Sequence, residues 1–165
     1  MEIKPTDKYI WVKKADVLNE VGRNDEALQA LERAIEIDPN YSYAFGVKGE
    51  ILSEINDNVS ALKNFDLAIQ IDPQNVSVWI AKIKIFEDNN DFTEVLKNCD
   101  ESLKYNPNNP HLLLKKGTGL KKVGRYLDAL KIFNKLIEIN PNCTQAWIEK
   151  AQTYDLIYNN SGVIQ

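Results

Sequence analysis

The sequence predicts an all-α solenoid of stacked helix pairs, and three observations predict it. Prolines recur every 34 residues, at Pro39, Pro73, Pro107 and Pro141. The same spacing separates Ala27, Ala61, Val95 and Ala129, and also Trp11, Phe45, Trp79, Leu113 and Trp147. Between the prolines, apolar residues follow a helical stripe rather than strict alternation. A fixed period of this length marks stacked repeats, because one helix pair cannot bury its apolar face alone.

Composition agrees with an ordered chain. Of 165 residues, 44% are hydrophobic and 27% charged, which suits a folded domain spanning 1–165 rather than a disordered tract. A net charge of -4 and a pI near 5.1 give no reason to expect a nucleic-acid partner, since phosphate binding draws on clustered Lys and Arg. There is no run of about 18 apolar residues, so no membrane span is expected. Met1-Glu2-Ile3-Lys4-Pro5 does not read as the start of a secretory signal, and the expected location is cytoplasmic. Cys99 and Cys143 lack the spacing of a metal site or a disulfide framework, so neither metal nor cofactor is expected and both thiols should be reduced.

After a short lead, Met1 to Pro5, Thr6 or Asp7 can cap a first helix running from Asp7 to Val21. Gly22 then suits the left-handed position that closes a helix, and Asn56, Asn90 and Gly124 occupy the equivalent places. Glycine and asparagine adopt that conformation most cheaply. Asp25 opens a second helix whose Ala27, Leu28, Leu31, Ala34, Ile35 and Ile37 form its apolar stripe, and Asp38-Pro39 ends it. The second unit repeats this with Ser42–Ile55 and Val59–Ile71, the third with Val76–Asn89 and Thr93–Tyr105. In the fourth, Asn109 caps a helix with Pro110 at its first position, where the missing donor costs nothing. That helix runs through Leu120 or beyond and is followed by Tyr126–Ile139. A last helix spans Thr144 to about Tyr158, where Asn159-Asn160-Ser161-Gly162 should break it. The repeats are thus 8–41, 42–75, 76–109 and 110–143, with a partial repeat or capping helix at 144–158.

These residues resemble the tetratricopeptide repeat family. Its pattern has an aromatic at position 4 of the repeat, small residues at 8 and 20, an aromatic or Leu at 11, Gly near 15, an aromatic at 24, Ala at 27 and Pro at 32. Counted from Lys8, the first unit gives Trp11, Ala15, Leu18, Gly22, Ala27, Leu31, Ala34 and Pro39. Counted from Pro110, the fourth gives Leu113, Gly117, Leu120, Gly124, Ala129, Phe133, Leu136 and Pro141. The resemblance implies a right-handed superhelix of antiparallel pairs, each a first (A) and a second (B) helix, whose A helices line a concave groove that usually seats a peptide or partner helix.

Several columns follow from this frame. Small residues at 8 and 20, such as Gly49 with Ala61 and Gly117 with Ala129, let the paired helices approach, with the residue at 24 filling the remaining space. The third unit enlarges the small positions to Ile83 and Val95 and shrinks position 24 to Cys99, which reads as an exchange of core volume and makes Cys99 a buried filler. Lysine recurs at position 7, as Lys14, Lys48, Lys82, Lys116 and Lys150. A stem packed on the helix with its ammonium in water explains that column better than a phosphate track does. No enzyme is expected. His111 is the sole histidine and has no nucleophile at a meaningful spacing, and Gly117-Thr118-Gly119 lies in a helical pattern rather than after a strand.

The resemblance places positions 2, 5, 9, 12 and 13 of each A helix on the concave face. Position 5 gives an apolar floor of Val12, Gly46, Ile80, Leu114 and Ile148, and position 2 adds Tyr9, Tyr43 and His111. Asp16, Glu20, Glu50, Glu54, Glu87 and Asp88 then line the first three units against Lys84 alone, and Lys121 and Lys122 make the fourth basic. Family members that clamp acidic chaperone tails want Lys, Asn and Asn where this chain has Val12, Asp16 and Val47, so such tails are not the expected ligand. The expected function is an adaptor that holds a protein or peptide segment, amphipathic and carrying basic residues. The alternative is a structural role, in which the last helix, with Leu156 and Ile157, mediates homo-oligomerisation or continues a longer array.

Overall fold

The computed structural model describes residues 6–161. The expected lead at Met1–Pro5 and the expected break at Gly162 lie outside them. The described residues form α1 (Lys8–Glu20), α2 (Asn24–Ile37), α3 (Ser42–Glu54), α4 (Asn58–Ile71), α5 (Val76–Asp88), α6 (Phe92–Tyr105), α7 (Pro110–Lys122), α8 (Tyr126–Ile139) and α9 (Thr144–Ser161), with no strand among them. This is an all-α helical-repeat solenoid. α9 continues three residues past Tyr158. Asn and Ser cost only a few tenths of a kcal/mol each in a helix relative to Ala, roughly, and that is too little to stop one.

The turns within the helix pairs repeat one device. Gly22 (φ 76°), Asn56 (φ 64°), Asn90 (φ 56°) and Gly124 (φ 77°) all take the left-handed conformation expected of them. At the first, the Gly22 N–H donates to the Asn19 carbonyl at 2.9 Å and the Arg23 N–H to the Leu18 carbonyl at 2.8 Å. The same two bonds close α3, α5 and α7, satisfying carbonyls that the helix leaves orphaned. Asp7, rather than Thr6, caps α1, its carboxylate accepting from the Tyr9 N–H at 3.0 Å. Asn109 caps α7 through the N–H groups of His111 and Leu112. Asp57 and Asp91 cap α4 and α6 in the same way.

The chain divides into two compact units, the first ending at Lys82 and the second beginning at Ile83. In the first, α1 packs on α2, α2 on α3 and α3 on α4. Its core gathers Val12, Ala15, Leu31, Ala34, Ala44 and Ile51, and Ala61, Phe65 and Ala68 of α4 are buried as well. In the second, α6 packs on α7, α7 on α8, and α9 on both α8 and α7. Leu113, Leu136 and Ala146 form one of its core groups, and Leu120, Ala129 and Phe133 another.

Glycine at position 8 of the repeat has a more specific cause than helix approach. A Cβ added at Gly49 would lie 2.6 Å from the Phe65 ring, and one at Gly117 would collide with the Phe133 ring. The residue at 24 therefore dictates the residue at 8. Phe goes with Gly, Leu31 with Ala15, and Cys99 with Ile83, all of them buried.

Candidate functional site

The first unit places two of the expected columns together. On α1, Tyr9, Asp16 and Glu20 fall on one helical stripe, and on α3, Tyr43, Glu50 and Glu54 do the same. Tyr9 and Tyr43 are 61% and 47% exposed. Between them lies Tyr41, whose ring centroid is 5.6 Å from that of Tyr9, edge to face, and 6.0 Å from that of Tyr43. The Lys8 ammonium sits 4.5 Å from the Tyr41 centroid and is held by Asp38 at 2.5 Å, which raises the lysine's pKa and lowers the carboxylate's. Such a cation over a ring face is favourable in itself. Tyr41 and Lys8 were not signalled by the A-helix columns, because Tyr41 belongs to the turn after Pro39. An aromatic in that turn beside two on the helices was the available clue.

The carboxylates of this face are poorly compensated. Asp16 pairs with Lys13 at 3.1 Å, and the Asn19 amide donates to Glu54 at 2.9 Å. Glu50 has no hydrogen bond or ion pair among the described residues. Its pKa is raised, first by desolvation and then by the charges of Glu54 and Asp16. These three acids repel one another, and a cation brought among them relieves that repulsion.

The apolar floor is only partly a surface. Val12 is 1% exposed and belongs to the core, Gly46 is buried where an added Cβ would lie 3.2 Å from the Val78 side chain, and Ile80 is half-buried. Position 5 in this unit therefore builds the interior, and Tyr9 and Tyr43 offer the accessible apolar area instead.

In the second unit, the expected charges are largely neutralised within the chain. Glu87 pairs with Lys115 at 2.6 Å. Lys121, expected to make one end basic, is held by Glu149 at 2.5 Å and by Gln152 at 2.9 Å, with both charged side chains nearly buried. In each case position 12 of one A helix meets position 6 of the next, a spacing of 28 residues. That 28-residue spacing of opposite charges is the sequence signal for these pairs. Lys84, Asp88, His111 and Lys122 are exposed, Leu114 is half-buried and Ile148 is exposed.

The lysine column departs from its expectation in one respect, because three of its ammonium groups, expected to end in water, pair with carboxylates. Lys48 reaches Glu32, Lys82 reaches Asp66 and Lys116 reaches Asp100, at 3.2, 2.7 and 2.6 Å. Lys14, Lys82 and Lys150 also lie over the rings of Trp11, Trp79 and Trp147. The Cys99 thiol is buried and its pKa is pushed up to about 12 by desolvation. Among the described residues, no three His, Cys, Asp or Glu side chains are grouped to hold a metal ion, and no helix is long and apolar enough to cross a membrane.

Comparison with known proteins bears on the fold and the family. Residues 9–41 match the model of the tetratricopeptide repeat. No curated protein matches the sequence. Among solved structures, the fold is similar to YrrB, described as a TPR protein with an unusual peptide-binding site, at 19% identity over 93% of this chain and 79% of that one, with a TM-score of 0.71. It is similar to MamA at 16% identity over 90% and 81%, with a TM-score of 0.74. A tetratricopeptide repeat protein from Parabacteroides merdae ATCC 43184 aligns at 17% identity over 92% and 60%, with a TM-score of 0.81. Residues 9–41 thus carry a tetratricopeptide repeat match, and the chain as a whole shares the fold of these neighbours.

Proposed function

We propose that the chain is a protein–protein interaction module that holds a segment of another protein on the α1 and α3 face of its first unit. The observation that carries this reading is the under-compensated group of Asp16, Glu50 and Glu54 beside exposed Tyr9 and Tyr43. Desolvation first, and then the charges of Glu54 and Asp16, raise the Glu50 pKa, so a cation bound there would relieve repulsion that the chain itself leaves in place. A fitting ligand presents Lys or Arg to the acids and an apolar or planar group to the tyrosines. A peptide-binding site is described for the structural neighbour YrrB, and a comparable use of the repeat is natural here. Exposed charge pairs contribute about 0.2 to 1 kcal/mol each, so the tyrosines supply much of the affinity and the acids mostly orientation and on-rate. A dissociation constant on the order of micromolar is expected.

The test uses short synthetic peptides that alternate Leu with Lys, and matched ones that alternate Leu with Glu, titrated by calorimetry at low and high salt. The Lys peptide should bind and weaken with salt, whereas the Glu peptide should not bind. Glu50→Lys with Glu54→Lys should remove binding of the Lys peptide, and Tyr43→Ala should weaken it about tenfold, as loss of an aromatic anchor does. Equal binding by parent and variants would place the site elsewhere.

A further inference from the structure

The A helices of the second unit are tied to one another by a contact whose residues the first unit lacks. Position 12 of one A helix meets position 6 of the next as Glu87 with Lys115 and as Lys121 with Glu149. In the first unit those places hold Asn19 on α1 and Val47 on α3, neither of them charged.

The surroundings of Lys121 show what is missing there. Its ammonium donates to Glu149 at 2.5 Å and to the side-chain oxygen of Gln152 at 2.9 Å, so a carboxylate and a carboxamide oxygen share one cation. The Gln145 amide steadies the other Glu149 oxygen at 3.0 Å. Three repeats earlier, the equivalents of Lys121 and Gln152 are Asn19 and Glu50. The acceptors are present without the cation.

Asn19 and Glu50 each register that gap. The Asn19 amide N–H donates to Glu54 at 2.9 Å, while its side-chain oxygen is shut off from water and has no donor among the described residues. A buried acceptor without a donor is destabilising, and one in a folded chain calls for an explanation. Glu50, unpaired among the described residues, is held above its ordinary pKa by desolvation and by the charges of Glu54 and Asp16. One group is a neutral amide and the other a carboxylate, and a positively charged donor satisfies both. Lys13 on α1 does not supply it, being engaged by Asp16 at 3.1 Å.

We propose that Asn19, Glu50 and Glu54 form a seat for the ammonium of a partner's lysine, which takes there the place that Lys121 fills in the second unit; this rests on the first-unit reading and names the group recognised. The seat lies in the seam that Asn19 and Glu54 bridge, between consecutive repeats. With Glu54 served by the ammonium, the Asn19 amide is free to turn its oxygen to the same donor. Lysine suits these acceptors better than arginine. They are a carboxamide oxygen and carboxylates carried by two helices, which match a compact ammonium with three rotatable donors, whereas a guanidinium is a planar fork matched to the two oxygens of one carboxylate.

The test fills the seat from within. In Asn19→Lys the new side chain stands where Lys121 stands, with Glu50 in the place of Gln152, and should pair with it. Parent and variants of the full chain are titrated by calorimetry with the Leu–Lys peptide and with a matched peptide alternating Leu with Arg. The parent should bind the Lys peptide about tenfold more tightly than the Arg peptide, the effect of one lost hydrogen bond to a charged group. Asn19→Lys should abolish binding of the Lys peptide and melt above the parent, and that gain should shrink in a Glu50→Gln background. Asn19→Leu, which keeps the size and removes the acceptor, should weaken the Lys peptide about tenfold while far-ultraviolet dichroism stays unchanged. Undiminished binding of the Lys peptide by both Asn19 variants would overturn the seat and leave the first-unit reading standing. So would an Arg peptide that binds as tightly as the Lys peptide, or a melting gain that survives Glu50→Gln unchanged. No binding of the Lys peptide by the parent would overturn both.

Discussion

Gly49 is kept small by a ring that belongs to another helix. Replacing it with Ala puts a Cβ 2.6 Å from Phe65, a strain of about 1 to 3 kcal/mol, against a helix-propensity gain of up to about 1 kcal/mol. Gly49→Ala should therefore melt below the parent, whereas Gly49→Ala with Phe65→Leu should recover most of the loss. A double-mutant cycle with coupling of at least about 1 kcal/mol is expected, and simple additivity would show that the two residues do not share one space. The sequence revealed that volumes were exchanged in the third unit, but it paired position 8 with position 20. Only side-chain direction, which a spacing does not carry, identifies position 24 as the neighbour. Cys99 is legible at the same scale. With its pKa pushed up to about 12 and its side chain buried, it should resist iodoacetamide in the native chain, while half-buried Cys143 reacts and both react in denaturant. Native labelling of Cys99 would contradict the core assignment.

Helix ends were the most legible elements, because Gly or Asn in the left-handed conformation is a requirement of backbone sterics. Asn56 at φ 64° tolerates that region through its short polar side chain. Asn56→Gly should hold or raise stability, whereas Asn56→Ala should lower it by about 1 kcal/mol or more. Chemical denaturation of the pair decides this, and equal stability would mean that the turn relaxes out of that conformation. The caps at Asp57 and Asp91 were missed, since the sequence pattern favoured the apolar residues that follow them. The end of α9 was misplaced for a related reason. Asn and Ser weaken a helix but do not bar it, and α9 is anchored by the packing of Ala146 and Thr153, which local propensity does not report.

Across the whole molecule, the acidic character legible in composition becomes two different situations. In the second unit Glu87 and Lys121 find partners 28 residues away, whereas in the first unit Asp16, Glu50 and Glu54 lean on one another. Columns at positions 9, 12 and 13 named these groups. They could not show that Val12 is interior, that Tyr41 joins Tyr9 and Tyr43, or that Lys121 is already held, because each depends on a neighbouring helix. The Glu50 pKa gives a signed expectation. Between the ordinary carboxyl value and the raised folded one, the folded chain retains a proton that the unfolded chain has lost. Stability therefore declines as pH rises through that window. Glu50→Gln should melt above the parent at neutral pH, and the gap should close below the carboxylate range. A gap of opposite sign would mean that Glu50 is stabilised as a carboxylate.

The most direct test of binding on the first-unit face is a two-dimensional NMR titration of the isotope-labelled chain with the Leu–Lys peptide. The expected result is shifts concentrated at Tyr9, Asp16, Tyr43, Glu50 and Glu54, absent with the Leu–Glu peptide and lost in Glu50→Lys with Glu54→Lys. Shifts confined to α9 or to the B helices, or none at all, would contradict it.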